Sequence, residues 1–150
     1  MLKIAFASDD RLRVNLHFGG ADTLVVYDVS PGRADLIGVG RFVKADPTGT
    51  RVRAGLADTA QDKLAAKLEF LEGCTAVYAT SVGASAIRRL MRAGIQPIIV
   101  EDGRDILDLL DEVSSAIRRG GLAWVERAVA RAKAATPAPR ASDAGQRPLG

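Results

Sequence analysis

The hydrophobic pattern of this chain changes its period partway along, and that change limits the available folds more than any other feature. Leu2 to Ala7, Leu24 to Val29 and Ala34 to Val43 are strand-like runs with only a loop and the turn signal Ser30-Pro31-Gly32 between them. Three such runs in succession predict an antiparallel meander. Beyond a loop at 45–57 the pattern alternates instead. Asp58 or Thr59 can cap a helix from about Ala60 to Leu71, with Leu64, Leu68 and Leu71 on one face and Gly73 as its stop. Thr75 to Thr80 is a continuous apolar run of strand length, Gly83 to Arg92 a helix ended by Gly94, and Gln96 to Val100 another strand. Asp105 opens a helix in which Ile106, Leu109, Leu110, Val113 and Ile117 keep helical spacing. Gly120-Gly121 breaks it before a last amphipathic helix from Leu122 to about Lys133. Strand, helix and strand in turn predict parallel pairing through right-handed crossovers, with helices covering the sheet.

With 150 residues, 47% of them hydrophobic, the chain can bury one core. Residues 1–133 therefore read as a single domain. Residues 134–150, with three prolines and almost no bulky apolar side chain, read as a disordered tail. The single cysteine excludes an intramolecular disulfide and any C-x-x-C cluster or zinc motif. Ile4 to Ala7 is too short for the roughly 7 to 15 apolar residues of a signal-peptide core or the ~20 of a membrane span. The expectation is a cytoplasmic protein with no membrane partner. The net charge of +3 conceals an asymmetry: residues 118–150 carry seven Lys/Arg against Glu126 and Asp143, whereas residues 1–117 carry 14 basic and 16 acidic groups. The basic groups are not interleaved with aromatics, which argues against nucleic acid as a partner.

The only histidine, His17, stands in Val14-Asn15-Leu16-His17-Phe18-Gly19-Gly20, directly after the first strand. Two glycines and an asparagine around one imidazole describe a loop whose backbone can approach a ligand while offering a neutral nitrogen donor. A lone histidine is by itself more often a hydrogen-bonded loop residue, and a metal held by one protein ligand needs the rest of its shell from elsewhere.

Several segments, in order and without a large gap over roughly residues 2 to 130, carry a resemblance. They are Lys3-Ile4-Ala5-Phe6-Ala7-Ser8-Asp9-Asp10, Val14 to Ala21, Val26-Tyr27-Asp28-Val29, Asp62 to Leu68, Leu71 to Tyr78 and Ala93-Gly94-Ile95-Gln96-Pro97. No single string is specific, but their order and spacing resemble the nitrogenase cofactor-biosynthesis family that includes NifX and NafY. The resemblance implies an RNase H-like α/β fold, a mixed five-stranded sheet of order 3-2-1-4-5 whose first three strands are antiparallel. Antiparallel strands followed by βαβ units are also the order of elements in such a sheet.

Adopting that order sets the first strand beside the fourth and parallel to it, so the His17 loop lies next to Thr80-Ser81-Val82-Gly83-Ala84-Ser85. This second loop enters a helix amino terminus, where free N–H groups favour an anion, although a plain strand-to-helix turn with a serine cap reads equally well. The expected cofactor-binding residues are His17, Asn15, Phe18, Gly19, Gly20, Ser81, Val82 and Gly83, with His17 as the metal ligand. Cys74 is the lesser candidate: it starts the fourth strand, at the end opposite His17, and reads as a structural, semi-buried thiol, with a role between subunits left open. Arg88, Arg89 and Arg92 read as solvated helix charges, and Tyr78 and Trp124 as packing residues.

An enzyme is the main competing class, because the same fold houses metal-dependent nucleases. Two-metal phosphoryl chemistry needs clustered carboxylates on the sheet. Here the first strand holds no acid until Asp9 and Asp10 beyond its end, and Thr75 to Thr80 holds none. A protein-interaction module built on the basic last helix would explain Arg127, Arg131 and Lys133 but not the His17 loop. The resemblance implies a non-catalytic carrier of an iron-sulfur precursor of the iron-molybdenum cofactor, or of that cofactor, held transiently. It also implies partners in the precursor-synthesising enzyme, the assembly scaffold and, as NafY-like members have, apo-nitrogenase. The extra amino-terminal domain of NafY has no counterpart in the sequence.

Overall fold

In the computed structural model, which describes residues 2–42 and 64–135, β1 (Leu2–Ala7) is the central strand of a five-stranded sheet. Every β1 residue except Lys3 is buried, because its alternating side chains serve two cores. Leu2, Ile4 and Phe6 face one layer while Ala5 and Ala7 face the other. The further strands are β2 (Arg13–Val14), β3 (Thr23–Ser30), β4 (Arg33–Arg41), β5 (Ala76–Ala79), β6 (Gln96–Ile99) and β7 (Arg104–Asp105). The main sheet runs β4-β3-β1-β5-β6. β1 and β4 pair with β3 antiparallel, whereas β1 with β5 and β5 with β6 are parallel.

The turn Ser30-Pro31-Gly32-Arg33 closes the β3–β4 hairpin with Gly32 at φ 75°, a conformation that favours glycine. Ser114 clips it from beneath: its Oγ accepts the Gly32 N–H at 2.7 Å and donates to the Ser30 carbonyl at 3.0 Å.

Helices cover both faces. α3 (Ile106–Arg119) and α4 (Ala123–Ala135) pack Leu109, Leu110, Val113, Val125 and Ala128 against Phe6, Val25 and Tyr78. The opposite face takes α1, helical over residues 64–70, and α2 (Ala84–Arg92), through Leu64, Leu68, Leu71, Ala86 and Leu90. Tyr78 stacks on Phe6 at 5.1 Å and meets Trp124 edge-on at 6.3 Å, so both are packing residues as expected. The predicted cap at Asp58 or Thr59, the 45–57 loop and the tail from 136 onward lie outside the described residues.

The sequence reading treats residues 8 to 23 as one loop, but part of it is ordered pairing. β2 and β7 form a two-stranded antiparallel ribbon, Arg13 opposite Asp105 and Val14 opposite Arg104. Two residues carry too little pattern to betray a strand. Among the described residues no helix is long and apolar enough to cross a membrane.

Candidate functional site

The carboxyl ends of β1 and β5 lie side by side, and the chain leaving each is tied to the other. The Thr80 N–H donates to the Leu16 carbonyl at 3.0 Å and the Phe18 N–H to the Ser81 carbonyl at 2.9 Å, which brackets His17 between two backbone hydrogen bonds. The imidazole is exposed. Its Nδ1 lies 2.5 Å from Ser81 Oγ and 3.2 Å from Thr80 Oγ1. With Nδ1 so occupied, Nε2 is the ring nitrogen left to bind, and a hydroxyl on the first nitrogen is the kind of contact that fixes orientation and tautomer in metal-binding histidines.

The loop owes its shape to carboxylates and amides at its root. Asp10 Oδ1 accepts the N–H groups of Leu12 at 2.8 Å and Arg13 at 2.9 Å and the Ser8 hydroxyl at 3.1 Å, turning the chain through Arg11 at φ 63°. These bonds, led by the Leu12 amide, hold the Asp10 carboxyl below its ordinary range. Asn15 and Asp9 bond reciprocally: Asn15 Nδ2 donates to Asp9 Oδ1 at 2.8 Å, and Asn15 Oδ1 accepts the Asp9 N–H at 3.2 Å. Asn15 thus shapes the loop. Phe18 is fully buried in the α1/α2-side core and anchors it. Gly19 and Gly20 are exposed, with open space where a side chain would stand.

Gly83 caps α2 with extended backbone, and no side chain bonds the helix start, so the serine cap allowed by the sequence is not formed. The Ser81 hydroxyl lies against His17 instead. The first turn of α2 carries no acid, while Arg89 and Arg92 sit in its last turn, at the end away from Gly83. Val82 is partly buried against the core of this face.

Sequence reasoning missed two residues here. Thr80 joins Ser81 at Nδ1. Lys67 is 1% exposed behind the loop, its Nζ donating to the Phe18 carbonyl at 3.0 Å and the Gly19 carbonyl at 2.8 Å. A signal was present: Lys67 falls on the apolar stripe of Leu64, Leu68 and Leu71, where a solvated lysine does not belong.

Cys74 sits at the other end of β5, six residues before Thr80, or about 20 Å at strand rise. It is buried, and burial pushes its thiol up to about 11 against a small opposing pull from Lys3. Among the described residues no three His, Cys, Asp or Glu side chains gather as a metal site.

A family model described as dinitrogenase iron-molybdenum cofactor matches residues 1–116. The chain is 39% identical to Protein NifX of Azotobacter vinelandii over 133 residues, 89% of this chain and 78% of that one. It is 34% identical to Protein NifX of Rhodobacter capsulatus over 112 residues, covering 75% and 67%. A stretch of 119 residues is 30% identical to the FeMo cofactor biosynthesis protein NifB of Frankia alni, spanning 76% of this chain but only 20% of that protein. With that model spanning most of its length, and two NifX proteins aligned over most of theirs, the chain belongs to the dinitrogenase iron-molybdenum cofactor family.

Proposed function

We propose that this protein is a non-catalytic carrier in iron-molybdenum cofactor biosynthesis. It binds an iron-sulfur precursor of the cofactor, or the cofactor itself, and passes it from the enzyme that makes it to the scaffold or apo-nitrogenase that receives it. The observation carrying this reading is the exposed His17, its Nδ1 occupied by Ser81 and Thr80, which leaves Nε2 as the free ring nitrogen in a loop that continues into the exposed Gly19 and Gly20. A single imidazole with backbone amides around it suits a cargo that must leave again, since such clusters carry negative charge and amides stabilise anions without covalent commitment.

The mixed sheet is read as RNase H-like, with the site at the carboxyl ends of its parallel strands, where open α/β sheets bind ligands. The nuclease alternative has less support. Asp9 is bonded to Asn15 and Asp10 to the loop backbone, which leaves those two carboxylates employed in shaping the loop. Anaerobic incubation with isolated cofactor precursor, followed by gel filtration and iron assay, tests the reading. Wild-type protein should co-elute with iron, His17→Ala should lose about tenfold or more of it while keeping its circular dichroism, and Ser81→Ala should fall between. Equal retention by His17→Ala and wild type would sink the proposed site.

A further inference from the structure

We propose that Lys67 is a positioning residue for an anionic ligand: its ammonium holds the Phe18 and Gly19 carbonyls inward and thereby turns the Gly19 and Gly20 amides outward. The inference rests on the reading of the His17 loop as the cargo site and adds how the loop is made receptive to negative charge.

A lysine is almost never fully buried unless its charge is met. Here Nζ donates to two consecutive loop carbonyls at 3.0 and 2.8 Å and lies 5.7 Å from the Phe18 ring centroid and 6.0 Å from that of Phe42. Within a trans peptide the carbonyl of one residue and the N–H of the next point in opposite directions. Drawing the Phe18 carbonyl toward a buried ammonium therefore aims the Gly19 N–H away from it, and drawing the Gly19 carbonyl does the same for the Gly20 N–H. Among the described residues neither amide donates to a protein acceptor, whereas the Phe18 and Ala21 amides on either side do, to Ser81 and Phe18 respectively. Both glycines are exposed with nothing within 4 Å of a notional Cβ, so a ligand can reach the two N–H groups directly. Two successive outward amides form an anion-binding concavity, and the cation behind them adds to its field. The chemistry selects a compact anion, of which a sulfur-coated metal dianion is one kind.

The full chain labelled with ¹⁵N is titrated anaerobically with tetrathiomolybdate, a soluble dianion followed by its own absorbance, and amide shifts are recorded. In wild type the Gly19 and Gly20 amides should move most. Lys67→Met should lose those shifts and bind about tenfold more weakly, and Lys67→Arg should recover much of the affinity. A folded Lys67→Met that binds within about twofold of wild type, with the two glycine amides still responding, overturns the proposal. Should Lys67→Met fail to fold, Gly19→Pro, at the second position of the Phe18–Ala21 turn where proline is accommodated, removes one outward N–H without replacing Lys67: weakened binding supports the proposal, and unchanged binding overturns it. A wild type that retains the isolated precursor while Gly19 and Gly20 stay silent to the dianion defeats the role of Lys67 alone. A wild type that takes up neither defeats the cargo reading and this inference together.

Discussion

The one cysteine and the one histidine of this chain stand at opposite ends of β5, and the two ends differ in kind. At the amino end Cys74 is buried, its N–H bonded to the Leu71 carbonyl at 2.8 Å, and the next residue, Thr75, is bonded to Lys3 of β1 at 2.7 Å. At the carboxyl end His17 is exposed, propped by two hydroxyls, with glycines beside it and a buried lysine behind. A soft thiolate is by softness the better partner for iron. Yet the thiol is the group held protonated in the core, and the imidazole is the one presented to solvent. Ligand softness alone points to Cys74, whereas position in the sheet leaves His17 as the donor open to solvent.

Alkaline pH should separate the two ends most sharply. Below pH 9.0, the ordinary value of the thiol, Cys74 is protonated folded or unfolded, and its burial incurs no ionisation cost. Above it the unfolded chain ionises first while the folded thiol holds its proton to about 11. The stability that Cys74 contributes is thus fully present below 9.0 and lost as pH rises through about 11, a loss on the order of 2–3 kcal/mol. Denaturant midpoints of wild type and Cys74→Ser should converge over that window and cross near its upper end, because serine has no such titration. Parallel curves would break the contrast.

At neutral pH the two substitutions should dissociate stability from binding. Cys74→Ser places a hydroxyl in an apolar core and should cost about 1–2 kcal/mol while retaining cargo. His17→Ala removes an exposed ring and should stay within about 1 kcal/mol of wild type, whatever it does to binding. Urea midpoints measured beside the iron assay decide it. A Cys74→Ser variant that loses cargo while remaining folded would move the site to the other end of the sheet.

What the sequence disclosed divides along the same line. Long-range layout was legible because it is carried by many residues: the apolar runs of β1 and β3 and the helical stripe in α3 each repeat a signal over several positions. The convergence of His17 and Ser81 was legible only through an adopted strand order, since they are 64 residues apart. Hidden were features that single residues carry. Nothing local marks Arg13 and Val14 as a strand, because their partners Asp105 and Arg104 are remote. Nothing local shows that the Phe18 side chain is buried in the core or that the Asp9 carboxylate takes up Asn15. Lys67 broke a stripe visibly, and its meaning needed the two carbonyls it holds.

Acid should give the smallest effect and touch the histidine end alone. The amides of Leu12 and Arg13 hold the Asp10 carboxyl below its ordinary 3.8, so its contribution is present above that value and is lost as pH falls below it. Asp10 is exposed and solvent screens it, so global stability should scarcely change. The local consequence is measurable: as pH falls below 3.8, the Leu12 and Arg13 amides should lose hydrogen-exchange protection, corrected for intrinsic rates, while Cys74 and Thr75 keep theirs. Asp10→Asn retains an acceptor oxygen without the titration and should flatten the dependence at Leu12 and Arg13. If the asparagine variant softens in acid as wild type does, the loop is not held by this carboxylate. A loss of protection at Cys74 and Thr75 in the same pH range would mean that the two ends of the sheet respond as one unit, and the contrast between a fixed amino end and an adjustable histidine end would fail.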